Sequence, residues 1–421
     1  MLDIKFIREH LEEVKEAAKN KNRKVDFDEI LTLDEKRKKL IGQIDEKRAE
    51  RNKKSSNQPT NQSANQQMRD EGRKLKDEIK ALEEELKTVE EKYNNLMLTV
   101  PNVPDKSVPV GPDADSNKEI KKWGEVPKFD FQPLDHIALA KKHDLVDFER
   151  GVKVGGFRTY FLKNEAVLLE MAVLTYTLQK LVKKGYIPLI APSLVKEFTL
   201  LGNGQMPWGR DEVYHLEKDD VYLAGTAEVP VTAYFSGEML LEKDLPKKFV
   251  AFSPCFRREA GSYGKDTKGL YRVHQFNKIE QVIITSNNYQ QSLDLHEELL
   301  QNAESVLQDL NLSYRVMLMC TGDMGEPQVK KYDIETWMPC RNQYGETMSN
   351  SFMGEFQARR LNIRYRSREG VVKYAHTLNN TAVASPRILI AILENYQQED
   401  GSILIPEVLQ NFVGKDKICL R

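Results

Sequence analysis

The stretch FRREAGSYGKDTKGLYRVHQF, residues 256–276, places arginines, lysines and aromatic rings around a glycine-containing turn. On either side, KKFVAFSPCFRRE (247–259) and LYRVHQFNKIEQVII (270–284) contain the aromatic and β-branched residues typical of strands. The intervening AGSYGKDTKG (260–269) has the glycines and polar residues of a loop. The sequence therefore predicts an antiparallel hairpin with a long polar tip.

Cationic and aromatic side chains share the faces of this predicted hairpin. Because side chains alternate along a strand, we expect Arg272, His274 and Phe276 to lie on one face of the second strand. The same spacing places Arg257 and Glu259 together on the first strand. Guanidinium groups bind phosphate and an aromatic ring stacks on a base, so this surface suits a nucleoside triphosphate. The alternative is an exposed sheet face with ordinary surface charges.

The composition limits the classes of protein to which this chain can belong. The 421 residues are enough for two domains, and a formal net charge of −1 gives no global signature of nucleic-acid binding, so any basic patch must be local. The opening MLDIKFIREHLEEVKEAAK lacks the apolar core of a signal peptide, and no apolar run is long enough to span a membrane. The scattered cysteines lack CxxC spacing, which argues against disulfides and a cysteine-based zinc site. We therefore expect a cytoplasmic protein without membrane partners.

Residues 1–100 predict a helical N-terminal domain with a long arm. Lys, Glu, Leu and Ala dominate this region, and apolar residues in its second half recur at alternating steps of four and three, as in a coiled coil. This seam comprises Leu75, Ile79, Leu82, Leu86, Val89, Tyr93, Leu96 and Val100. Leu33, Leu40 and Ile44 make a similar seam upstream, and the polar segment 55–67 between them predicts a turn. The pattern indicates an antiparallel two-helix coiled-coil arm.

The rest of the chain predicts an α+β domain. Four prolines and a glycine mark residues 101–117 as a linker, which leaves residues 118–421 as the second domain. We predict an amphipathic helix over residues 164–184 and a final helix that starts near Pro386. Strand-like runs are YIPLIAP, VYLAGT, KFVAFSPCF, NKIEQVIIT and YRVMLM. Since many of these runs are too close together for a crossover helix, they favour an antiparallel sheet flanked by helices.

The hairpin stretch resembles motif 2 of the class II aminoacyl-tRNA synthetases, with its Phe-Arg-x-Glu strand, long loop and returning aromatic residue. Its specific form, FRxEAGSYGxDTxGLxRxHQF, is similar to that of seryl-tRNA synthetases of the bacterial type. The resemblance covers essentially the whole chain, because other motifs occur in the same order. They are MLDIKFIRE, TAE (226–228), GDMG…KKYDIETWMP, FQARR (356–360) and ILENYQ…DGSILIPEVL. Together these motifs imply the class II fold with an N-terminal arm.

The resemblance implies an ATP-dependent, AMP-forming serine–tRNA ligase. Such enzymes convert L-serine and ATP to seryl-adenylate and pyrophosphate, and then transfer serine to the 3′-terminal adenosine of tRNA(Ser). The sequence leaves open whether tRNA(Sec) is also charged. Because the serine carboxylate is already a nucleophile, catalysis should depend on alignment and charge stabilisation, without a general base.

By this resemblance, ATP and Mg²⁺ bind around the hairpin. Arg257 bridges the α-phosphate and the serine carboxylate, Glu259 contacts the adenine amino group, and Phe276 stacks on the ring. Glu346 and Ser349 hold Mg²⁺ and phosphate, as oxygen ligands suit this cation, although the residues alone would make Glu346 an ordinary loop charge. The implied ATP site comprises Arg257, Arg258, Glu259, Val273, Phe276, Glu346, Thr347, Met348, Ser349 and Arg387. Of these, Arg257 and Arg387 are the implied catalytic residues.

The resemblance also implies a small pocket for serine. Exclusion of alanine and threonine requires a tight site with polar groups that pair with the substrate hydroxyl. The implied contacts are Thr226, Ala227, Glu228, Arg257, Glu280, Asn379 and Thr381. The even spacing of Glu280 from Phe276 favours the same strand face, although an isolated strand glutamate can also point outward.

Motif 3 departs from the family pattern. Asn380, Ala382 and Pro386 stand where many bacterial members carry glycines, and we interpret this as a variant that keeps its function. Proline is tolerated in a first helical turn, and Arg387 then lies at a helix N-terminus that can face an anion. Motif 1, the helix after Asn164 and its following strand, implies a homodimer.

In the family, the arm holds the long variable arm of tRNA(Ser). Residues 34–54 contain nine Lys or Arg against five Asp or Glu, which RNA binding and a solvated, ion-paired coiled coil explain about equally well. The predicted tRNA contacts are Lys38, Arg48 and Arg51 in the arm and Lys265 and Lys268 in the motif 2 loop.

Two other functions fit parts of the pattern. A paralogue that loads an amino acid onto a carrier protein would lack the long arm and use a cysteine-containing metal site. A non-enzymatic RNA-binding protein built on a catalytically inactive synthetase fold would have lost the four key site residues, but all four are present. These are Arg257, Glu259, Phe276 and Arg387.

Overall fold

The computed structural model describes residues 1–56, 62–261 and 268–420, without the side chains of residues 54–56 and 62–69. The chain divides into two compact units. The N-terminal unit comprises residues 2–19 and 23–100, and the C-terminal unit comprises residues 1, 20–22 and 101–421. No helix among the described residues is both long and apolar enough to cross a bilayer.

The N-terminal unit is helical. Its helices are α1 (Ile4–Glu9), α2 (Leu11–Asn20), α3 (Phe27–Ser56) and α4 (Gln62–Leu98). The helices α3 and α4 run antiparallel, because Lys36 of α3 pairs with Glu85 of α4 whereas Lys47, further along α3, pairs with Glu78. The predicted seam is largely buried, which confirms the coiled-coil arm; its buried members are Leu40, Ile44, Leu75, Ile79, Val89, Tyr93 and Val100.

The predicted turn of the arm was too long. The sequence predicted it over residues 55–67, whereas α3 continues through Ser56 and α4 begins at Gln62. Gln, Asn and Ser lower helix propensity only slightly, so a polar segment can still extend a helix whose seam is packed further along. The remainder of the predicted turn, residues 57–61, lies outside the described residues.

The C-terminal unit mixes helices and strands. Its helices are α5 (His136–Lys142), α6 (Phe148–Gly155), α7 (Glu165–Lys183), α8 (Glu197–Asn203), α9 (Glu228–Thr232), α10 (Tyr289–Asp309), α11 (Phe356–Leu361), α12 (Arg387–Asn395) and α13 (Glu407–Val413). Its strands are β1 (Lys118–Trp123), β2 (Val146–Asp147), β3 (Phe161–Leu162), β4 (Ile187–Ile190), β5 (Leu194–Val195), β6 (Tyr214–Leu216), β7 (Val221–Leu223), β8 (Met239–Leu241), β9 (Lys247–Phe256), β10 (Gln275–Thr285), β11 (Tyr314–Leu318), β12 (Lys330–Met338), β13 (Gln343–Gly354), β14 (Arg364–Arg366), β15 (Val372–Tyr374), β16 (His376–Ala384), β17 (Ile403–Leu404) and β18 (Lys417–Ile418).

An eight-stranded sheet forms the centre of this unit. Its strand order is β1-β11-β12-β13-β16-β10-β9-β4, and every neighbouring pair is antiparallel except β4 with β9. The predicted α+β class with an antiparallel sheet is therefore confirmed. The helices α7, α10 and α12 supply apolar residues to one large core against the sheet, including Leu169, Leu299 and Ile388.

The strand β10 separates this core from the opposite side of the sheet. Its Ile279 and Ile283 belong to the large core. Its Val282 instead packs in a second cluster with Ala227 beside α9. Since side chains alternate along a strand, Phe276, Lys278 and Glu280 point to the same side as Val282, away from the large core.

The two strands of the motif 2 hairpin are shorter than predicted. The strand β9 ends at Phe256 and β10 begins at Gln275, so Arg257 and Glu259 on one side and Arg272 and His274 on the other lie outside the ladder. Glu259 has a φ of +54°, a left-handed conformation that cannot continue a strand. The strict alternation predicted for these residues is therefore wrong, whereas Phe276 lies within β10 as expected.

Candidate active site

A cleft beside the ends of β9 and β10 gathers many of the predicted ligand-binding residues. Its lining includes Arg257, Glu259, Val273, Phe276, Glu346, Thr347, Met348, Ser349, Thr381 and Arg387. These residues come from the strands β10, β13 and β16, the loops after β9 and before β10, and the first turn of α12. Arg258 is exposed instead and is absent from this lining; its backbone N–H donates to the Glu212 carbonyl at 2.9 Å.

Arg257 covers the aromatic ring of the cleft. The backbone N–H of Arg257 donates to the His274 carbonyl at 2.9 Å, which closes the end of the β9–β10 ladder. Its guanidinium carbon lies 5.2 Å from the centroid of the Phe276 ring, and Nε donates to the Gly225 carbonyl at 3.3 Å. A cation over a ring face is favourable. The arrangement therefore brings an anion-binding group and a stacking surface into contact.

Glu259 and Arg272 form an ion pair at the mouth of the hairpin. Arg272 Nη1 lies 3.2 Å from Glu259 Oε2. The left-handed backbone of Glu259 turns its carboxylate toward this partner on the returning segment, although neither residue is in a strand. The carboxylate is mostly buried and keeps an acceptor surface in the cleft.

Arg387 and Glu346 pair on the far wall of the cleft. Arg387 is the first residue of α12, directly after Pro386, which confirms the predicted helix start. Its Nη1 donates to both the carbonyl and Oε2 of Glu346, at 2.9 and 3.1 Å, and its Nε donates to the Tyr271 carbonyl at 3.1 Å. Desolvation in the cleft would raise the pKa of Glu346, but Arg387 and Lys331 outweigh it and lower that pKa. Glu346 is thus held as an anion.

A second carboxylate lies close to Glu346. Asp333 of β12 is opposite Ser349 in the β12–β13 ladder, and its Oδ2 is 3.0 Å from Lys331 Nζ. Burial raises the pKa of Asp333, while Lys331 offsets part of that shift. Its Oδ1 is buried without a hydrogen-bond partner among the described residues. The oxygens of Glu346, Ser349 and Asp333 are ligands that suit a hard divalent cation.

The predicted serine contacts on β10 and β16 form one hydrogen-bonded group. Glu280 accepts hydrogen bonds from Asn379 Nδ2 at its Oε1 and from Thr381 Oγ1 at its Oε2, both at 3.2 Å. Lys278 Nζ lies 2.5 Å from the same Oε2 and donates to Thr226 Oγ1 at 2.6 Å. The β10–β16 register shifts beside Glu280, which puts it opposite Thr381.

Glu228 forms the back of this group. Asn203 Nδ2 and Gln357 Nε2 each donate to Glu228 Oε1 at 2.8 Å, and the backbone N–H of Glu228 donates to Thr226 Oγ1 at 3.1 Å. Burial, and then the charge of Glu280, raise the pKa of Glu228. Ala227 is fully buried and packs in the second cluster without presenting a polar group.

The three non-glycine residues of motif 3 lie on different sides of the sheet and cleft. Asn380 lies on the opposite side of β16 from Asn379 and Thr381, where it accepts from Gln281 Nε2 at 2.7 Å. Its Nδ2 donates to the Ser349 carbonyl at 3.1 Å, which links β16 to β13. Ala382 is part of the large core. Asn380 and Ala382 therefore pack away from the ligand-binding side, whereas Pro386 lies in the cleft lining beside Arg387.

Comparison with known proteins identifies the family. The seryl-tRNA synthetase N-terminal domain model matches residues 1–104, and the class II tRNA synthetase core domain model (G, H, P, S and T) matches residues 212–396. The serine–tRNA ligase of Deinococcus radiodurans is 45% identical over 98% of this chain and 98% of its own length. That of Thermotoga neapolitana is 47% identical over 99% of this chain and 100% of its own length.

The chain belongs to the seryl-tRNA synthetase family.

Solved seryl-tRNA synthetases share the whole fold. The Pyrococcus horikoshii seryl-tRNA synthetase complexed with ATP superposes with a TM-score of 0.90 at 38% identity and covers 100% of both chains. The cytoplasmic serine-tRNA ligase of Naegleria fowleri in complex with AMP has a TM-score of 0.87 at 32% identity, covering 100% of this chain and 99% of its own. Both units of the chain therefore have counterparts in seryl-tRNA synthetases.

The predicted tRNA-binding cations of this seryl-tRNA synthetase family member differ in their surroundings. Lys38 pairs with the buried Asp34 at 3.0 Å, and Arg48 pairs with Glu83 at 2.7 Å. Arg51 is exposed and makes no ion pair with the described residues. Lys268 is exposed, whereas Lys265 lies outside the described residues.

Several residues of this seryl-tRNA synthetase site were not predicted from the sequence. Lys278 lies between Phe276 and Glu280 with the same two-residue spacing, so the alternation that selected Glu280 could also have selected it. Asp333 lies within the quoted KKYDIETWMP motif, but its position opposite Ser349 depends on strand register. Asn203 and Gln357 reach Glu228 from two short helices, and although Gln357 lies within the quoted FQARR motif, neither contact can be deduced from the local sequence.

Proposed function

We propose that this protein is a serine–tRNA ligase that forms seryl-adenylate from L-serine and ATP and then transfers serine to the 3′ end of tRNA(Ser). One observation carries this proposal. In a single cleft, the stacked Arg257 and Phe276 and the paired Arg387 and Glu346 adjoin the buried polar group around Glu280. A nucleotide site and a small polar pocket next to each other suit adenylate formation.

ATP is bound across the mouth of the cleft in this proposal. Adenine stacks on Phe276, where the Arg257 guanidinium now lies, and the Glu259 carboxylate accepts from the adenine amino group. Arg257 then moves the short distance to the α-phosphate and the serine carboxylate, and Arg387 binds the γ-phosphate. Two guanidinium groups placed before the reaction would stabilise the charge that develops at phosphorus. Arg258 is exposed outside the cleft lining, and its backbone N–H donates to the Glu212 carbonyl.

The residues around Glu346 fit Mg²⁺. Glu346 is held as an anion, Ser349 adds a hydroxyl, and Asp333 Oδ1, which has no hydrogen-bond partner among the described residues, adds a nearby oxygen. Mg²⁺ usually takes only one or two carboxylates and completes its octahedron with water and phosphate oxygens, which this donor set allows. When bound, the ion would neutralise phosphate charge and orient pyrophosphate as the leaving group. The residues Thr347 and Met348 connect the two predicted ligands along β13.

Serine is selected by the polar group around Glu280. Glu280, Thr381, Asn379 and Thr226 supply acceptors and donors in one buried hydrogen-bonded group, of which Thr381 lines the cleft. Alanine would leave some of these groups unpaired, which is more costly than the loss of an apolar contact. The additional methyl group of threonine would need space beside side chains that are already buried and hydrogen-bonded to one another.

The arm is the tRNA-binding element in this proposal, and it holds the variable arm of tRNA(Ser). The exposed Arg51, which has no ion-pair partner among the described residues, is better placed to bind phosphate than Lys38 or Arg48. Lys268 meets the acceptor end at the motif 2 loop, together with Lys265. The domain limits 1–100, 101–117 and 118–421 remain our proposed functional division, and we expect the enzyme in the cytoplasm.

We further propose that the enzyme is a homodimer through motif 1. The helix α7 exposes Val167, Leu168 and Met171, of which Met171 is 56% exposed. The adjacent edge strand β4 exposes Ile190 at 84%. Exposed apolar side chains on two neighbouring elements are typical of an interface. Sedimentation equilibrium should give twice the chain mass, and a Met171→Glu variant should sediment as a monomer.

Aminoacylation tests the proposal. Purified protein, ATP, Mg²⁺ and a tRNA(Ser) transcript should transfer radiolabelled serine to acid-precipitable RNA. A transcript that ends in 2′,3′-dideoxyadenosine, which lacks both ribose hydroxyls, is the control and should accept none. Transfer of threonine or alanine at a rate comparable with serine would contradict the proposed specificity.

A further inference from the structure

A buried lysine lies at the centre of the serine pocket. Lys278 is only 3% exposed, and its ammonium lies between Glu280 Oε2 at 2.5 Å and Thr226 Oγ1 at 2.6 Å. Both partners are among the predicted serine contacts. A lysine is almost never fully buried unless it is paired, so its position must be set by these two groups.

Lys278 also sets the charge of the pocket. Two carboxylates, Glu280 and Glu228, lie in the same buried group, and the other side chains that bind Glu280 are the neutral Asn379 and Thr381. The lysine neutralises one carboxylate, which leaves at most one negative charge. The ammonium group of an amino acid can match that charge without leaving a second buried anion unpaired.

We propose that Lys278 is a positioning residue for the amino-acid substrate. It compensates the negative charge of Glu280 and orients Thr226, so that both present acceptors to the ammonium and hydroxyl groups of a small amino acid. This inference rests on the proposed function. It differs from a purely structural role because it concerns the charge of Glu280, and therefore the pH dependence of serine binding.

Among the described residues, few other ionisable groups face Lys278 and Glu280. The strand β9 contributes the buried thiol of Cys255 and, just beyond its end, Arg257; α9 contributes Glu228. The neighbouring segment of β16 contributes Asn379 and Thr381, which do not ionise. The helices α7 and α10 pack against the other side of β10, where Glu170 bonds Asn277 and Asn302 bonds Gln281. Removal of Lys278 should therefore leave Glu280 beside Glu228 and favour its protonation.

The test compares Lys278→Met with the wild type in serine-dependent exchange of pyrophosphate into ATP. We expect the KM for serine to rise at least tenfold, while the KM for ATP changes less than threefold. In the variant, lowering the pH from 8.5 to 6.5 should reduce kcat/KM for serine by another factor of ten, because Glu280 takes up a proton. The wild type should change less than threefold over that range.

Matched variants separate charge from packing. Lys248 is also a strand lysine paired with a glutamate, Glu298 at 2.7 Å, but it lies at the far end of β9. The Lys248→Met variant should keep the wild-type KM for serine. Lys278→Arg keeps the positive charge, so its pH profile should match the wild type even where its bulk raises KM.

Three results would overturn the inference. They are an unchanged KM for serine in Lys278→Met, equal losses for serine and ATP at both pH values, and an altered pH profile in Lys278→Arg. The last applies even if the methionine variant does not fold. A wild-type protein without serine-dependent exchange would instead reject the proposed function itself, so the two failures are distinguishable.

Discussion

The side chains of Arg257 and Arg387 are held by different contacts, and this difference indicates different roles. Arg387 is held by two hydrogen bonds to Glu346 and one to Tyr271, whereas Arg257 has one hydrogen bond to Gly225 and its contact with the Phe276 ring. A cation–π contact is worth about 0.5–1 kcal/mol at an exposed site, so Arg257 can leave the ring cheaply. We infer that Arg257 moves on ATP binding and that Arg387 stays in place.

Replacement of Arg257 by alanine tests the more mobile group. The proposed adenylate chemistry relies on charge stabilisation at the α-phosphate, and loss of one such donor typically lowers the rate by about 10²–10³-fold. We expect Arg257→Ala to reduce pyrophosphate exchange by that factor with little change in melting temperature. Arg366→Ala, an exposed arginine in β14, is the control and should retain exchange. Equal activity in the two variants would refute the assigned role.

The residues of the site were predictable to different degrees. Phe276 and Glu280 share a strand face as their spacing predicts, because β10 is a regular strand there. Lys278 was available to the same reasoning, but a strand lysine is ordinarily a surface residue. The contacts of Asn203 and Gln357 with Glu228 depend on how separate helices pack, which a local pattern does not contain.

At the scale of the element, helices and strands with strong periodicity were predicted best. The predicted helix over 164–184 is α7, and each predicted strand run contains an observed strand. The predicted boundaries were wrong where the backbone conformation differs from the one that the local composition favours. The hairpin strands stop early because Glu259 adopts a left-handed φ, and the arm helices extend into polar residues that were assigned to a turn.

The arm offers a test of tRNA binding by one exposed cation. Arg51 makes no ion pair with the described residues, so its charge reversal breaks no described intramolecular pair. We expect Arg51→Glu to raise the KM for tRNA(Ser) several-fold, because each lost phosphate contact weakens binding, and to leave pyrophosphate exchange unchanged. Steady-state aminoacylation at 50 and 200 mM salt measures this.

A control variant on the same helix tests whether a change in net charge alone alters tRNA binding. Glu50→Lys changes the net charge by the same amount in the opposite direction and should not raise the KM for tRNA. If Arg51→Glu instead lowered exchange and aminoacylation equally, the arm would not have the separate role proposed for it.

At the scale of the whole molecule, two buried histidines couple stability to pH. Burial lowers the pKa of His296 to about 3 and that of His376 to about 4, against 6.5 for an ordinary histidine. The unfolded chain therefore binds more protons than the folded chain between pH 6.5 and these values. Stability contributed by the neutral histidines is present above pH 6.5 and is lost as the pH falls toward 3.

A His296→Phe variant tests this coupling. At pH 5 the unfolded His296 is protonated and the folded one is not, which costs the wild type about 2 kcal/mol relative to pH 8. The variant lacks this cost, so its melting temperature should fall by a few degrees less than that of the wild type between pH 8 and pH 5. His215→Phe, at a partly exposed histidine, should keep the wild-type difference. Identical pH dependence in His296→Phe would show that this histidine is not the source.

The most direct test of the whole account is amino-acid-dependent exchange of labelled pyrophosphate into ATP without tRNA. This reaction requires the ATP site, the Mg²⁺ ligands and the serine pocket to act together, and it requires nothing of the arm. We predict rapid exchange with L-serine and at least a hundredfold less with alanine or threonine. Absence of exchange with serine, or equal exchange with all three amino acids, would contradict the account.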